Sequence, residues 1–515
     1  MRILTVVILA SGLALNACGG DSKPAEKEAA APSTAAPGAA TPGEAEAAAD
    51  DALASAPPLE LHEDYAHFLD PKFDDLDGML KRRSIRVLVV QSKLFYFIDQ
   101  GQQRGLTYDA LQMFEEQLNK KFKTEKLRVH VVPIPVARDQ LFTALAAGRG
   151  DIAAAGLTIT AKREQQVDFS APFAEGGTEI VVTGPAAPEL KSLNDLSGKQ
   201  VWVRKSSSYY ESLEALNRTL KSAGRPPIDI RPADEHLEDE DLIEMVGTGL
   251  LPMTVADSYL ANFWTQVFEK AKARSDLTVH VGSRFGWALR KNTPRLKALV
   301  DEFVAGHKVG TRSGNIVMVK YLKNVDWVKN AMDQSELAKL EPMINAFRRY
   351  GEQFDFDPLM VAAQAYQESG LDQSKRSHVG AIGVMQVMPT TAADKRVNVK
   401  GIENLDPNIL AGTKYLRLLE DQYFNDAGIS QIDKMLFTFA AYNAGPARIQ
   451  GLRRDAPKQG LDPNKWFQNV EVMASRRIGR ETVQYVSNIY KYYLAYQLVL
   501  QSGQLKKEAK QKAAT

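Results

Sequence analysis

The spacing of apolar residues changes once along this chain, and the two spacings require different kinds of fold. From Arg86 to about Val304, short apolar runs such as residues 86–90 alternate with stretches of helical periodicity such as residues 108–122. Alternation of this kind predicts βα units around a mostly parallel sheet. From about Ser335 onward the pattern is helical. A chain of 515 residues has room for two to four domains, so we predict a multi-domain protein with an α/β part followed by a mostly α-helical part.

Composition excludes several classes of function. The chain has 64 Lys and Arg against 63 Asp and Glu, a formal charge of +1, so it lacks the positive excess of a nucleic-acid-binding protein. Its single cysteine, Cys18, excludes an internal disulfide and a multi-cysteine metal cluster. The seven histidines and the acidic runs have no metal-binding spacing. We therefore expect no metal, no cofactor and no nucleic-acid partner.

The first residues have the pattern of an export signal. Arg2 precedes an apolar run over residues 3–15, which is shorter than the roughly 20 residues that span a bilayer. This pattern predicts a secretory signal peptide over residues 1–17. Residues 18–60 are rich in Ala, Pro and Glu and poor in larger aliphatic side chains, which predicts a flexible tether.

The residues around Cys18 resemble the lipobox of bacterial lipoproteins. Residues 15–19 read Leu-Asn-Ala-Cys-Gly, and the resemblance implies that Cys18 becomes the lipid-bearing first residue after cleavage. Gly19, rather than an aspartate, follows the cysteine, which in proteobacterial lipoproteins favours the outer membrane. We therefore expect a lipid anchor that holds the protein at the periplasmic face of the outer membrane. The alternative is an ordinary signal peptide with a chance cysteine.

Five short motifs characterise the α/β part. They lie at residues 148–152, 156–163, 167–173, 193–199 and 256–257. Together they resemble the amino-acid-type periplasmic solute-binding proteins over about residues 84–322. The resemblance implies two lobes, with the second lobe at about residues 186–277, that close on a ligand by a hinge.

The resemblance also implies which residues bind the ligand, an amino acid or a muropeptide. They are Arg163, Thr158, Ser207 and Asp257. Arg163 offers a planar fork of donors for a carboxylate, and Asp257 matches the family position that receives the ammonium group. Thr158 and Ser207 add polar contacts.

Two points stay open at this site. In one alternative, Arg163 forms a structural ion pair with Asp168 or Glu164. Either Tyr96 or Phe97 is available to cover the apolar part of the ligand.

Glu368 is the candidate catalytic residue of the helical part. Asp357 and the proline after it begin a predicted helix that Gly370 ends. Helical spacing places Glu368 on a largely apolar face, in the last turn. Desolvation and the negative end of the helix dipole both raise the pKa of a carboxyl there, as a general acid requires. Alternatively, Glu368 is solvated or paired with Arg376 or Lys375.

Four blocks, at residues 368–369, 380–391, 440–445 and 481–486, lie in this order in the helical part. They resemble the catalytic domain of the soluble-type lytic transglycosylases, relatives of goose-type lysozyme. We therefore predict a lysozyme-like catalytic domain over residues 335–503. The resemblance implies that Glu368 is the single acid/base and that the groove is lined by Ser377, Met385, Gln386, Tyr442, Asn443 and Tyr485. Core packing remains an alternative for Met385, and a structural role is expected for Glu481.

The resemblance implies cleavage of the β-1,4 bond between N-acetylmuramic acid and N-acetylglucosamine in peptidoglycan strands, leaving 1,6-anhydromuramyl ends. Ligand binding to the two lobes is a hypothesis for allosteric regulation of this activity. The alternative function is a periplasmic amino-acid- or peptide-binding lipoprotein whose glycan-binding domain is only a wall anchor. Residues 506–515 are expected to be solvated and dispensable.

Overall fold

A continuous β-sheet organises the first domain. Its strands, in chain order, are β1 (Ser84–Val89), β2 (Phe97–Asp99), β3 (Gln102–Arg104), β4 (His130–Pro135), β5 (Ile152–Thr158), β6 (Asp168–Phe169), β7 (Ala174–Thr183), β8 (Gln200–Arg204), β9 (Asp229–Ala233), β10 (Met253–Asp257) and β11 (Lys272–Leu289). The sheet has the order β4, β1, β5, β11, β7, β10, β8, β9, with β6 paired to β11 and β2–β3 forming a separate hairpin. Strand β1 is almost entirely buried, as expected for a parallel strand covered on both faces.

The sheet is parallel only within each lobe. In the first lobe β1 runs parallel to β4 and β5, and in the second β8 runs parallel to β9 and β10. The long strands β7 and β11 pair antiparallel to each other and connect the two lobes. The prediction of a mostly parallel sheet is therefore correct inside each lobe and wrong at the crossing. The chain enters the second lobe on β7 and returns on β11, so these neighbouring strands must run in opposite directions.

Helices cover both faces of this sheet. They are α1 (Leu76–Arg82), α2 (Leu106–Phe122), α3 (Gln140–Ala146), α4 (Ala161–Glu164), α5 (Ser208–Ser222), α6 (Asp239–Thr248), α7 (Ser258–Trp264), α8 (Pro294–His307), α9 (Arg312–Leu322) and α10 (Asp326–Ala331). Each lobe has its own buried core. Phe114 of α2, Trp287 of β11 and Phe303 of α8 pack together in the first lobe.

The second domain is helical. Its helices are α11 (Gln334–Gln353), α12 (Pro358–Ser369), α13 (Pro389–Ala393), α14 (Leu405–Tyr423), α15 (Gln431–Ala444), α16 (Pro446–Asp455), α17 (Glu471–Arg477) and α18 (Arg480–Ala514). Large side chains such as Phe437 and Trp466 form its core, and α12 packs along α18. This computed structural model describes residues 70–514, except residues 100, 125, 332 and 333. The predicted signal peptide, Cys18 and the tether lie outside the described residues.

Helix α18 contacts both lobes of the first domain as well as the helical domain. It has 35 residues, so its length is about 50 Å. Lys491 forms a buried ion pair with Glu115 of α2 at 3.0 Å, and the Tyr496 hydroxyl donates to the Gly101 carbonyl at 2.6 Å. Farther along, Lys506 lies 2.6 Å from the carboxylate of Asp241, on α6 of the second lobe. The expectation that residues 506–515 are solvated is therefore wrong for Lys506 and Lys510, which contact Asp241, while Gln511 is exposed as expected.

The ion pairs at the end of α18 centre on one buried carboxylate. Asp241 is fully buried and contacts both Lys506 and Lys510. The two ammonium groups hold the pKa of Asp241 well below its usual range despite its burial. Neither lysine is recognisable as a partner from the sequence, because 265 residues separate Lys506 from Asp241.

Within the described residues, no helix combines the length and apolar character that a bilayer crossing requires.

We expect Lys506→Met to lower the thermal unfolding midpoint by a few degrees. Methionine keeps the apolar stem but leaves a buried carboxylate short of one partner, which costs about 1–3 kcal/mol. Differential scanning calorimetry checks the result, with Gln511→Met, at an exposed position of the same helix, as the matched control. Equal midpoints for the two variants would contradict a stabilising role for this contact.

Candidate active site and ligand cavity

The sequence places Glu368 at the end of a well-defined helix. Asp357 caps the start of α12 by accepting a hydrogen bond from the Leu359 amide at 2.9 Å. The helix ends at Gly370, which has a φ of 73°, a conformation that glycine adopts without strain. The Asp357 carboxylate also accepts a hydrogen bond from Tyr493 of α18 at 2.5 Å. Both ends of the helix are therefore fixed, and Glu368 in its last turn has a defined position.

The environment of Glu368 favours its protonated form. Burial raises the pKa of this carboxyl to about 7, while a hydrogen bond from Tyr485 and the charge of Lys375 act in the opposite direction. Lys375 donates to the backbone carbonyl of Glu368 at 2.9 Å, and Arg376 donates to the carbonyls of Gln373 and Lys375. The alternative in which one of these cations pairs with the Glu368 carboxylate is thus absent from this structure.

Tyr485 holds the carboxyl of Glu368 in place. Its hydroxyl donates to Glu368 Oε1 and accepts from the Gln364 side-chain amide at 3.2 Å. Burial and the charge of Glu368 keep the pKa of Tyr485 well above its ordinary value, so the hydroxyl remains a donor. Gln364 lies one turn before Glu368 on the same face of α12. The sequence pattern indicates that shared face but not the contact of Gln364 with Tyr485.

A loop between α12 and α13 closes against this site. Ser369 Oγ accepts from the Asp372 amide at 3.1 Å and lies 2.9 Å from the Val384 carbonyl. The Asn408 side chain binds the loop through the Ile382 carbonyl and the Met385 amide, both at 2.8 Å. Asn408 is fully buried. It is a positioning residue that the sequence motifs do not identify, because it lies outside all four of them.

Gln386 occupies an unusual backbone conformation in this loop. Its φ is 47°, in the left-handed region that costs a non-glycine residue about 1 kcal/mol or more. The side chain is held by a hydrogen bond from Nε2 to the Gly383 carbonyl at 2.8 Å. Strained residues of this kind persist where the surrounding structure fixes them, and they cluster at functional sites.

The remaining predicted groove residues have different environments. Met385 is fully buried in the core against Gly412, so its side chain packs the domain and the prediction that it lines the groove is wrong. Its carbonyl accepts from the Tyr442 hydroxyl at 2.8 Å. Asn443 is exposed and accepts from Thr482 at 2.7 Å. Ser377 Oγ accepts from the Ala381 amide at 2.9 Å, which shapes the turn.

Among the described residues, no acidic group contributes to the pKa shift of Glu368. Asp372 is exposed and accepts a hydrogen bond from the Ser374 amide, and Glu481 is exposed on α18. Among the described residues, no group of three or more His, Cys, Asp or Glu side chains is arranged to hold a metal ion. The site offers one carboxyl whose pKa of about 7 allows it both to give and to take a proton near neutral pH.

A cavity between the two lobes forms a second site. The four residues predicted to bind the ligand all line it: Thr158, Arg163, Ser207 and Asp257. Charged and aromatic residues outside the sequence motifs line it as well, namely Phe95, Arg138, Arg204, Tyr209 and Asp239. Neither Tyr96 nor Phe97 is on the lining. Tyr96 is buried and binds Gln103, and Phe97 stacks on Trp327.

Arg163 connects the lobes in this structure. Its guanidinium donates to the Thr158 carbonyl of the first lobe and the Ser206 carbonyl of the second, both at 2.8 Å. Asp168 pairs with Lys291 instead, so the alternative ion pair between Arg163 and Asp168 is not formed. The ion-pair partner of Arg163 is Glu211, at 3.8 Å, and Glu164 does not pair with Arg163 in the described part of the chain either.

Other polar contacts also cross between the lobes. Arg138 of the first lobe pairs with Glu238 of the second at 2.5 Å, and Ser208 lies 3.2 Å from Thr158 between their hydroxyl oxygens. Ser207 caps the start of α5 by accepting from the Tyr210 amide. The two lobes are therefore closed on each other.

Asp257 lies at the deep end of the cavity. Its carboxylate and its amide both contact the Tyr209 hydroxyl at 3.1 Å, while Oδ1 has no hydrogen-bond partner among the described residues. Burial raises the pKa of this carboxyl well above its ordinary value, and the neighbouring Glu179 and Asp239 add to the shift. A cation placed at this position lowers the pKa of Asp257 and so offsets that shift.

Comparison with known proteins gives the same division of the chain. Residues 85–313 match the family described as bacterial extracellular solute-binding proteins, family 3, and residues 345–463 match the family described as the transglycosylase SLT domain. A membrane-bound lytic murein transglycosylase F from Desulfosudis oleivorans is 29% identical over 433 residues, covering 79% of this chain and 89% of the relative. The chain is a homologue of membrane-bound lytic murein transglycosylase F. This confirms the predicted order of a two-lobed solute-binding domain and a helical transglycosylase domain.

Further relatives give the same match. A protein of the same name from Pseudomonas fluorescens strain Pf0-1 is 28% identical, covering 81% of this chain and 84% of the relative. Among solved structures, an ancestral arginine-binding protein bound to arginine is 24% identical, with a TM-score of 0.38 over 46% of this chain and 97% of that one. Holo ArgBP from T. maritima is 19% identical, with a TM-score of 0.37 over 48% of this chain and 99% of that one.

We expect Glu368→Gln to stabilise the protein more at pH 8 than at pH 5. The folded-state pKa of about 7 lies above the ordinary value of 4.5, so the folded protein loses stability as the pH rises from about 4.5 to 7. Glutamine removes that loss, which is of the order of 1–3 kcal/mol. Thermal unfolding at both pH values checks this, with the exposed Glu481→Gln as control. A shift of the same size at both pH values would contradict the burial of a carboxylate at this site.

Proposed function

We propose that this protein is a peptidoglycan lytic transglycosylase with a ligand-binding domain in the same chain. The observation that carries the proposal is the single buried carboxyl of Glu368, with a pKa of about 7 and a hydrogen bond from Tyr485, inside a transglycosylase SLT domain. The proposed reaction cleaves the β-1,4 bond between N-acetylmuramic acid and N-acetylglucosamine and leaves a 1,6-anhydromuramyl end.

One carboxyl is sufficient for this reaction because the substrate supplies the nucleophile. Protonated Glu368 donates its proton to the glycosidic oxygen as the bond from that oxygen to C1 of the muramyl sugar breaks. The 6-hydroxyl of the same sugar then forms the new bond to C1, and the Glu368 carboxylate accepts the hydroxyl proton. The enzyme returns to its starting state without consuming water. Hydrolysis through two carboxylates uses a second one about 5–9.5 Å from the first, whereas no acidic group contributes to the pKa shift of Glu368 among the described residues.

The residues around Glu368 have supporting roles in this proposal. Tyr485 orients the carboxyl and limits the rise of its pKa. We assign Gln386 and Tyr442 to the groove that holds the sugar chain, because both lie on or against the loop that closes the site. Ser377 and Asn443 are assigned to the rim of that groove. Met385 contributes through its backbone carbonyl, which fixes Tyr442.

The cell envelope is the location that fits this substrate. The relatives are named as membrane-bound, and we propose that lipidated Cys18 anchors this chain at the periplasmic face of the outer membrane. A small molecule, an amino acid or a muropeptide, is the proposed ligand of the solute-binding domain, held by Arg163, Thr158, Ser207 and Asp257. Globomycin treatment of expressing cells tests the anchor, because a lipoprotein precursor then accumulates uncleaved.

Helix α18 provides a physical route by which ligand binding alters catalysis. It carries Tyr485, which contacts Glu368, and also Lys506, which contacts Asp241 in the second lobe. Lys491 ties the middle of the helix to the first lobe. A rotation of one lobe against the other therefore acts on α18, and Tyr485 on this helix contacts the carboxyl of Glu368. Coupling between two sites requires a physical connection of this kind.

Replacing the acid tests the reaction directly. We expect Glu368→Gln to lower the rate of peptidoglycan digestion by at least about 10²–10⁴-fold, because glutamine cannot transfer a proton. Mass spectrometry of the soluble products from the wild type is expected to show anhydro ends, one water lighter than reducing ends. Wild-type activity should fall as the pH rises above about 7. Reducing ends would make the protein a hydrolase, and no turnover would leave it a wall-binding lipoprotein.

A second variant tests the coupling along α18. Muropeptides are expected to change the digestion rate of the wild type, and Lys506→Met is expected to reduce that change while the basal rate stays within about twofold. The reason is that this variant loosens the contact between α18 and the second lobe and touches no group at Glu368. Gln511→Met on the same helix is the control. An unchanged ligand effect in Lys506→Met would show that this contact does not transmit the signal.

A further inference from the structure

Glu179 is a buried carboxylate for which the fold supplies no partner. It lies on β7, where the chain crosses between the lobes, and its exposure is 0%. Neither carboxylate oxygen has a hydrogen-bond partner among the described residues. Leaving a buried charge unpaired costs several kcal/mol. We therefore expect a group from outside the protein to pair with Glu179.

Glu179 is next to the ligand cavity. It is the register partner of Asp257 on the adjacent antiparallel strand β10, which places the two side chains on the same face with Cβ atoms about 5 Å apart. Its negative charge acts on Asp257, Arg163 and Tyr209, and all three line the cavity. Glu179 therefore lies beside Asp257, at the edge of the cavity lining.

The charges around the cavity leave two acidic groups without a cation. Each arginine of the lining has a carboxylate partner, Arg138 with Glu238, Arg204 with Asp239 and Arg163 with Glu211 at 3.8 Å. Asp257 and Glu179 have no cationic partner among the described residues. An amino-acid zwitterion matches Arg163 with its carboxylate and Asp257 with its ammonium group. Glu179 then still lacks a cation.

We propose that Glu179 is a second acidic recognition residue and that the cavity selects amino acids with a second cationic group. This deepens the proposed ligand-binding role of the cavity and rests on it. Three carboxylate oxygens have no partner here, Oε1 and Oε2 of Glu179 and Oδ1 of Asp257. An ammonium group has three N–H donors, so one ammonium at Asp257 and a second cation at Glu179 satisfy all three oxygens and supply the missing charge.

Isosteric ligand pairs isolate the second charge. Isothermal titration calorimetry on the full chain compares L-ornithine with L-norleucine and L-lysine with L-2-aminoheptanoic acid, pairs in which a methyl group replaces the terminal ammonium group. We expect each diamino acid to bind at least about tenfold more tightly than its neutral counterpart, since a buried charge pair contributes this much or more. Glu179→Gln is expected to remove the difference and leave the affinity for norleucine unchanged. Glu175→Gln, exposed on the same strand, is the matched control.

Two results would overturn the proposal. In one, ornithine and norleucine bind the wild type equally or neither binds. In the other, Glu179→Gln weakens both ligands alike, which is the behaviour of a structural residue. Thermal unfolding of Glu179→Gln confirms that the variant is folded. The anhydro products from peptidoglycan are measured in a separate experiment. Loss of the ligand preference would therefore not contradict the proposed lyase activity, and loss of the lyase activity would not affect the binding result.

Discussion

One continuous helix joins three parts of this molecule. Helix α18 packs along α12 in the catalytic domain, pairs with Glu115 in the first lobe and ends against Asp241 in the second. Each contact includes a buried charge or hydroxyl, so a shift of the helix leaves a buried polar group unsatisfied. The position of the Glu368 carboxyl, which Tyr485 of α18 contacts, is thereby linked to both lobes.

Burial of a carboxyl has different consequences at Glu368 and at Asp257. At Glu368 it brings the pKa to about 7, and a single tyrosine hydroxyl keeps the shift from going further. In the cavity, burial raises the pKa of Asp257, and the neighbouring Glu179 and Asp239 add to the shift. The first arrangement suits the proton exchange that we propose for Glu368. The second suits the ligand cation that we propose for the cavity.

The local structure of this chain is readable from its sequence, and its long-range pairings are not. Apolar runs and caps predict strand β1 and helix α12 to within two residues. The motifs identify Glu368, Tyr485 and the cavity residue Asp257. Contacts such as Lys506 with Asp241 depend on how distant segments pack, and periodicity carries no information about that. Met385 shows the converse: its motif suggests a groove, but its side chain fills the core.

The hydrogen bonds of Arg163 affect the ligand concentration that the proposed binding site requires. Its guanidinium already donates to main-chain carbonyls of both lobes, so an incoming carboxylate exchanges hydrogen bonds and gains few new ones. The apparent affinity for the proposed ligand is then the intrinsic affinity multiplied by the fraction of molecules whose lobes are open. If the cavity has the role that we propose, a closed resting state makes the protein respond to abundant ligand and not to traces of it. Such a domain suits a threshold detector better than a scavenger that must capture every molecule.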